Sequence, residues 1–252
     1  MIKRTPYRAY GSGIYRREIN VKTWPGIAIG EIVDDFHHFR TEIHHDGKVV
    51  KEVIAEVVRA PWSTCPETIN TIKVLKGMPL KPSLRSAGQY TPIKNQCTHM
   101  FDAAALTIAR LARGLGDVVY TISIADRDHK NRTSAEVKRD GKELITFKLD
   151  NNKIISPPQF LGQKVTGGGL ADWAEVTLDA DILEATLLCQ RACLISQGRA
   201  INLESFTCAE EVPSGPIGAC YTFTNGTIER AVRIVGSVRD LTYENGPLRD
   251  AS

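Results

Sequence analysis

The sequence predicts an α+β protein, with antiparallel β-hairpins forming a curved sheet packed with about three helices. Three observations predict it. Alternating apolar and polar stretches fold back at two Asp-Gly pairs, Asp46-Gly47 and Asp140-Gly141, which tight hairpin turns favour. Helical patterns fall between hairpins instead of following single strands, which argues against a parallel, doubly wound sheet. The 252 residues are 42% hydrophobic and 24% charged, enough apolar material for a sizeable core. We expect one domain over 14–252 after an N-terminal arm, 1–13, and the repeated hairpins allow similar halves at 14–115 and 116–252.

The elements follow in order. A first strand is expected over 14–21 and a second over 26–36, broken or bulged at Gly30. A long hairpin covers 35–59, and the β-branched run in VVKEVIAEVV suits a half-buried strand. Thr64 and Glu67 have capping-box spacing, with Pro66 in the first turn, so a helix should run from about Cys65 to Leu75 and stop at Gly77. A proline-rich loop, 78–94, leads to a second helix near Thr98 that ends at Gly114. That helix is apolar almost all round, so it should be central. Strands are expected at 117–125, 133–139 and 143–149, the last two joined by Asp140-Gly141. A last helix should span 179–197, with Gly198 as its stop. Residues 220–241 mix strand and helix signals.

The charge is close to balanced, 32 Lys plus Arg against 29 Asp plus Glu, a formal +3 with no long basic run. A dedicated nucleic-acid binder is not expected. No run approaches the ~18 apolar residues of a membrane span, and the first residues hold no apolar leader core. We therefore expect a soluble, cytoplasmic, bacterial protein; a homo-oligomer is allowed. The six cysteines form no CxxC pair and match no zinc-finger spacing, so free thiols in a reducing compartment are expected. Phosphate-loop, dinucleotide-fold and GxSxG signatures are absent, and no cofactor is expected.

Three segments hold the candidate chemistry. In Asp34-Asp35-Phe36-His37-His38-Phe39-Arg40, strand alternation would place Asp34, Phe36, His38 and Arg40 on one face. Such a face suits an anionic aromatic molecule. In Arg59-Ala60-Pro61-Trp62-Ser63-Thr64-Cys65-Pro66, Cys65 would open a helix, where the dipole should ease ionisation of its thiol, and Trp62 would wall a pocket. In Cys97-Thr98-His99-Met100-Phe101-Asp102, His99 and Asp102 are three apart on one helix face. A carboxylate that orients an imidazole prepares a general acid or base.

The same segments resemble a bacterial family of unknown function whose members carry DDFHHF, APW[ST]TCP and CTHxxD motifs. Here these are residues 34–39, 60–66 and 97–102, and the likeness is closest over 14–115. Such proteins are similar to small enzymes that degrade aromatic, lignin-derived or steroid compounds, including cofactor-free lyases that shed formaldehyde or carbon dioxide. The resemblance implies a substrate class and no reaction. The leading expectation is a cofactor-independent acid–base lyase on a small aromatic substrate. His99, oriented by Asp102, would move the proton, with His38 or Asp34 as its complement. Arg40 or Arg59 would hold an anionic group. Trp62 and Phe36 would stack on the ring, with Cys65 and Cys97 lining the substrate site. No metal is assigned. A metal-dependent hydrolase built on the His/Cys/Asp cluster and a non-catalytic ligand-binding protein are the rivals.

Overall fold

The computed structural model describes residues 10–213, 217–244 and 246–248. Its contacts divide the chain into two compact units, each assembled from separate passes of the chain. Of the described residues, the first unit takes those up to Arg17, then those within Tyr120–Leu203 and Asp240–Pro247; the second takes those within Glu18–Val119 and Glu204–Arg239, with Leu248. The α+β class is as expected.

The second unit is built on β1 (Ile14–Trp24, from Glu18 onward), β2 (Ile27–Asp34), β3 (His38–His45) and β4 (Val50–Arg59), hydrogen-bonded in the order β4-β3-β2-β1. The β2–β3 and β3–β4 pairs are antiparallel, with Gly30 opposite Thr41 and Phe39 opposite Ile32. Alternation buries Ile32, Phe39 and Ile43 fully. After β4 comes one turn of helix, α1 (Thr68–Thr71), extended at both ends by 3₁₀ turns over Cys65–Glu67 and Ile72–Leu75. Gly77 then takes φ +85°, the left-handed value that stops the helix at the expected place. The loop beyond it carries short 3₁₀ turns at Leu84–Gln89 and Ile93–Asn95. Helix α2 (Thr98–Ala112) packs on β2 and β3, and its residues from Thr98 to Phe101 and from Ala103 to Arg110 are buried.

Gly30 is not a bulge. It stays in register, and its reason lies across the interface: a Cβ there would stand 2.3 Å from Thr107 Oγ1 and 2.8 Å from the Ala103 carbonyl of α2. The absent side chain lets the helix lie directly on the strand. The turn at Asp46-Gly47 also departs from expectation. Only Gly47 has positive φ, and the loop spans four residues, with Asp46 Oδ1 accepting from the Lys48 and Val49 N–H groups.

The first unit holds β5 (Val118–Ala125, from Tyr120 onward), β6 (Arg132–Arg139), β7 (Lys142–Asp150) and β8 (Lys153–Ser156), in the order β5-β6-β7-β8. Asp140 and Gly141 both take positive φ, 51° and 77°, as the twisted two-residue hairpin turn requires. Helix α3 (Leu170–Thr177), which sequence reading overlooked, starts after three consecutive positive-φ glycines, 167–169. Helix α4 (Ala180–Ser196) is capped by Asp179, whose carboxylate accepts from the N–H groups of Asp181 and Ile182. It packs on β6 and β7. Gly198 does not end it in a left-handed turn; the chain tightens into a 3₁₀ turn, Gln197–Ala200. Of the expected arm, residues 1–9 lie outside the described residues, whereas the N–H groups of Gly11 and Gly13 bind the Asp126 carboxylate. Among the described residues no helix is long and apolar enough to cross a membrane.

Candidate active site

The side chains that converge lie in the second unit, and a turn organises them. Residues 35–37 are not part of a continuous strand; they close the hairpin between β2 and β3. The strand-face assignment of Asp34, Phe36, His38 and Arg40 therefore fails. Asp34 instead folds an Asx-type turn, as its short carboxylate favours. Its N–H donates to the His37 carbonyl at 2.8 Å. Its Oδ1 accepts from the backbone N–H groups of Phe36 and His37, both at 2.9 Å. That turn swings the His37 ring onto the carboxylate, with Nδ1 2.9 Å from Oδ1. The other oxygen, Oδ2, lies 3.5 Å from Nε2 of His99.

His99 belongs to the first turn of α2, where the helix dipole is positive and favours a neighbouring carboxylate. The His37 and His99 rings stack with centroids 3.6 Å apart and planes 23° off parallel. Phe39 stacks 5.9 Å from His99, and Phe36 meets His37 edge-on at 6.1 Å. The Thr98 hydroxyl stands 3.4 Å from His99 Nδ1. Asp34 is fully buried and His99 nearly so, while the His37 side chain keeps 12% of its surface in solvent. One carboxylate thus faces two imidazoles, hydrogen-bonded to His37 and in a 3.5 Å contact with His99, and the His37 ring keeps an edge toward water.

Arg59 makes this turn rigid. Its Nη2 donates to the carbonyls of Asp34 at 2.7 Å and His37 at 3.1 Å; its Nη1 donates to those of Ser237 at 3.0 Å and Asp35 at 3.3 Å. The expected task of gripping a substrate anion is corrected here: the guanidinium is buried and engaged with backbone carbonyls. The Arg239 N–H adds a bond to the Asp35 carbonyl at 2.7 Å. The segment 220–241, left unsettled by its mixed pattern, holds 3₁₀ turns at Tyr221–Phe223 and Ile228–Arg230 and isolated bridges that pair Arg233 with Trp62 and Val232 with Cys208.

The other expected site residues lie as follows. His38 turns to Glu31 on β2, its Nε2 2.7 Å from Oε1. Asp102 is half-buried on α2, one turn beyond His99; the carboxylate set against the His99 ring at 3.5 Å is that of Asp34. Arg40 is partly exposed and lies 3.9 Å from both Glu42 and Glu56. Trp62 is buried, with Phe223 edge-on at 6.2 Å and the Arg233 guanidinium 5.7 Å from its ring centre. Phe36 is buried against His37.

Cys65 overturns its expectation. It does begin a 3₁₀ turn, but burial pushes its thiol up to about 12. A turn so short gives little dipole, and desolvation of a thiolate outweighs it. Cys97 is buried and raised well above the ordinary thiol value for the same reason. The capping box is corrected too. The Thr64 hydroxyl pairs with Thr222 at 2.9 Å, and the Glu67 carboxylate takes Tyr221 and Arg230. All six cysteines are free thiols.

His37 is the member left out of the expected acid–base set, because strand alternation put it on the opposite face. The legible signal was the Asp three residues before it, which favours a turn over a strand. No family model matches the chain, and no curated protein sequence matches it.

Proposed function

We propose that the chain is an enzyme that moves a proton on a small aromatic catabolite, a cofactor-independent lyase of the deformylation or decarboxylation type. The carrying observation is the Asp34 carboxylate with His37 on one oxygen and His99 on the other. A buried carboxylate that holds an imidazole fixes its orientation and stabilises its protonated form. Two imidazoles stacked at 3.6 Å repel when both are charged, so the cluster favours at most one imidazolium beside the carboxylate. His37, with its edge in solvent, is the group that meets substrate; Asp34 and His99 hold it and share its charge.

In the deformylation form, His37 takes the hydroxyl proton of a hydroxymethyl group. The carbon–carbon bond breaks, its electrons pass to the carbon next to the aromatic ring, and formaldehyde leaves. The imidazolium returns the proton to that carbon. The aromatic setting of Phe36 and Phe39 and the three-motif resemblance support this substrate class. Free thiols suit a reducing compartment, and we place the enzyme in a bacterial cytoplasm.

The test is a panel of lignin-type aromatics bearing hydroxymethyl or carboxyl groups, read by formaldehyde and carbon dioxide release. On a substrate that turns over, His37→Gln and His99→Gln should each slow the reaction roughly 10²–10⁴-fold, the usual worth of a general acid or base. Unchanged turnover in both variants refutes the assignment.

A further inference from the structure

We infer that Asp34, His37 and His99 also form a site for one first-row divalent metal ion, which competes with the proton the cluster carries. This rests on the acid–base reading for its effect on turnover, though not for the binding itself. One ligand atom from each residue lies within 4.8 Å of the other two. Two of the separations are shorter, 2.9 Å between His37 Nδ1 and Asp34 Oδ1 and 3.5 Å between His99 Nε2 and Asp34 Oδ2. Zinc–nitrogen and zinc–oxygen bonds of about 2.0–2.2 Å put neighbouring ligands on one ion roughly 3.3–3.5 Å apart. An imidazole binds an ion in its ring plane, so the two stacked rings would have to swing out of their stack for both nitrogens to meet one ion beside Asp34.

Two nitrogens and one carboxylate oxygen suit zinc, cobalt, nickel or ferrous ions, and disfavour magnesium and calcium, which take oxygen ligands. Three protein ligands leave a coordination position open to water, as in catalytic zinc sites. The turn survives the change. When an ion displaces the proton between His37 Nδ1 and Asp34 Oδ1, that oxygen keeps its two backbone N–H donors and Oδ2 remains to ligate. Arg59 still pins the turn through carbonyls that are not ligands. The Thr98 hydroxyl at the far nitrogen of His99 is the kind of outer contact that orients a ligating imidazole. The exposed edge of His37 is the entry path.

The experiment titrates Co²⁺ into the intact, chelator-stripped protein and follows visible d–d absorption, with Zn²⁺ as competitor. The expected result is one ion per chain. His37→Ala, which leaves the backbone donors to Asp34 in place, and His99→Ala should weaken binding by at least ~10²-fold, beyond the 10–100-fold typical of outer contacts. His44→Ala, on the opposite end of β3 and paired with Glu42, should leave it unchanged. Far-ultraviolet circular dichroism identifies a variant that has lost its fold. No stoichiometric absorption, or equal binding by folded His37→Ala and His99→Ala, overturns the site. A substrate assay separates the two readings. Turnover slowed by metal and restored by chelator supports both; turnover that requires the metal keeps the site and sinks the metal-free lyase.

Discussion

Residue by residue, burial decides which reactive groups are available. Cys65 opens a helical turn, a position that would favour thiolate if the helix were long and the site wet. The turn is three residues long and the thiol is buried, so its ionisation lies at about 12. At pH 8 it therefore stays a thiol, and the thiolate is the nucleophilic form. Iodoacetamide at pH 8 should therefore modify the half-buried Cys208 and Cys220 well before Cys65 and Cys97, as peptide mass spectrometry would read. Early modification of Cys65 would show that its thiol is accessible and ionisable after all. At this scale the sequence disclosed which residue types matter without disclosing their partners. Asp34 and His99 were legible as candidates. Their direct contact, in place of the expected His99–Asp102 pair, was not, since it depends on how the 64 intervening residues fold back. His37 was hidden by a rule that holds for strands and fails for turns.

The hairpins and the long helices were largely legible as elements, because period 2 and period 3.6 are local properties of the chain. Alternation located β5, β6 and β7 within a residue or so, and the apolar run from Thr98 gave α2 its span. Gly30 shows where local reading stops. A glycine in a strand suggests a bulge when the strand is seen alone. Seen with α2, it is the contact at which helix and strand touch backbone to side chain. Gly30→Ala should force Thr107 and the Ala103 carbonyl away, an overpacking cost of about 1–3 kcal/mol. The melting temperature should fall by several degrees, given roughly 2–4 °C per kcal/mol for a chain of this size. Adding Thr107→Ala removes the nearer clash and should recover part of the loss, while the carbonyl keeps the rest. A Gly30→Ala protein as stable as the parent would mean that α2 does not rest on β2 in this way. Because α2 delivers His99, the same substitution should also lower activity where the parent turns over.

For the whole molecule, each unit draws on passes of chain far apart in sequence, and in each a buried arginine ties passes together. In the second unit Arg59 on β4 bonds the 34–37 turn and, 178 residues away, the Ser237 carbonyl. In the first unit Arg199 pairs with Asp126 at 2.8 Å and Asp240 at 3.3 Å and donates to the Thr242 hydroxyl. Asp126 in turn binds the N–H of Gly13, and a Cβ on Gly13 would stand 2.1 Å from the Arg199 guanidinium. Neither tie was readable, because an arginine's partner carries no local pattern and both lie beyond any periodicity window. The ties predict different failures. Arg199→Gln leaves the Asp126 carboxylate buried with its cation gone, which should cost about 3–5 kcal/mol in urea unfolding. Hydrogen exchange should quicken first at Ile14, Asp126 and Thr242, whose N–H groups belong to that seam. Arg199→Lys restores a positive charge without the planar fork and should recover only part of the stability. Protection at those three amides unchanged in Arg199→Gln would show that the chain passes of this unit are joined by apolar packing alone.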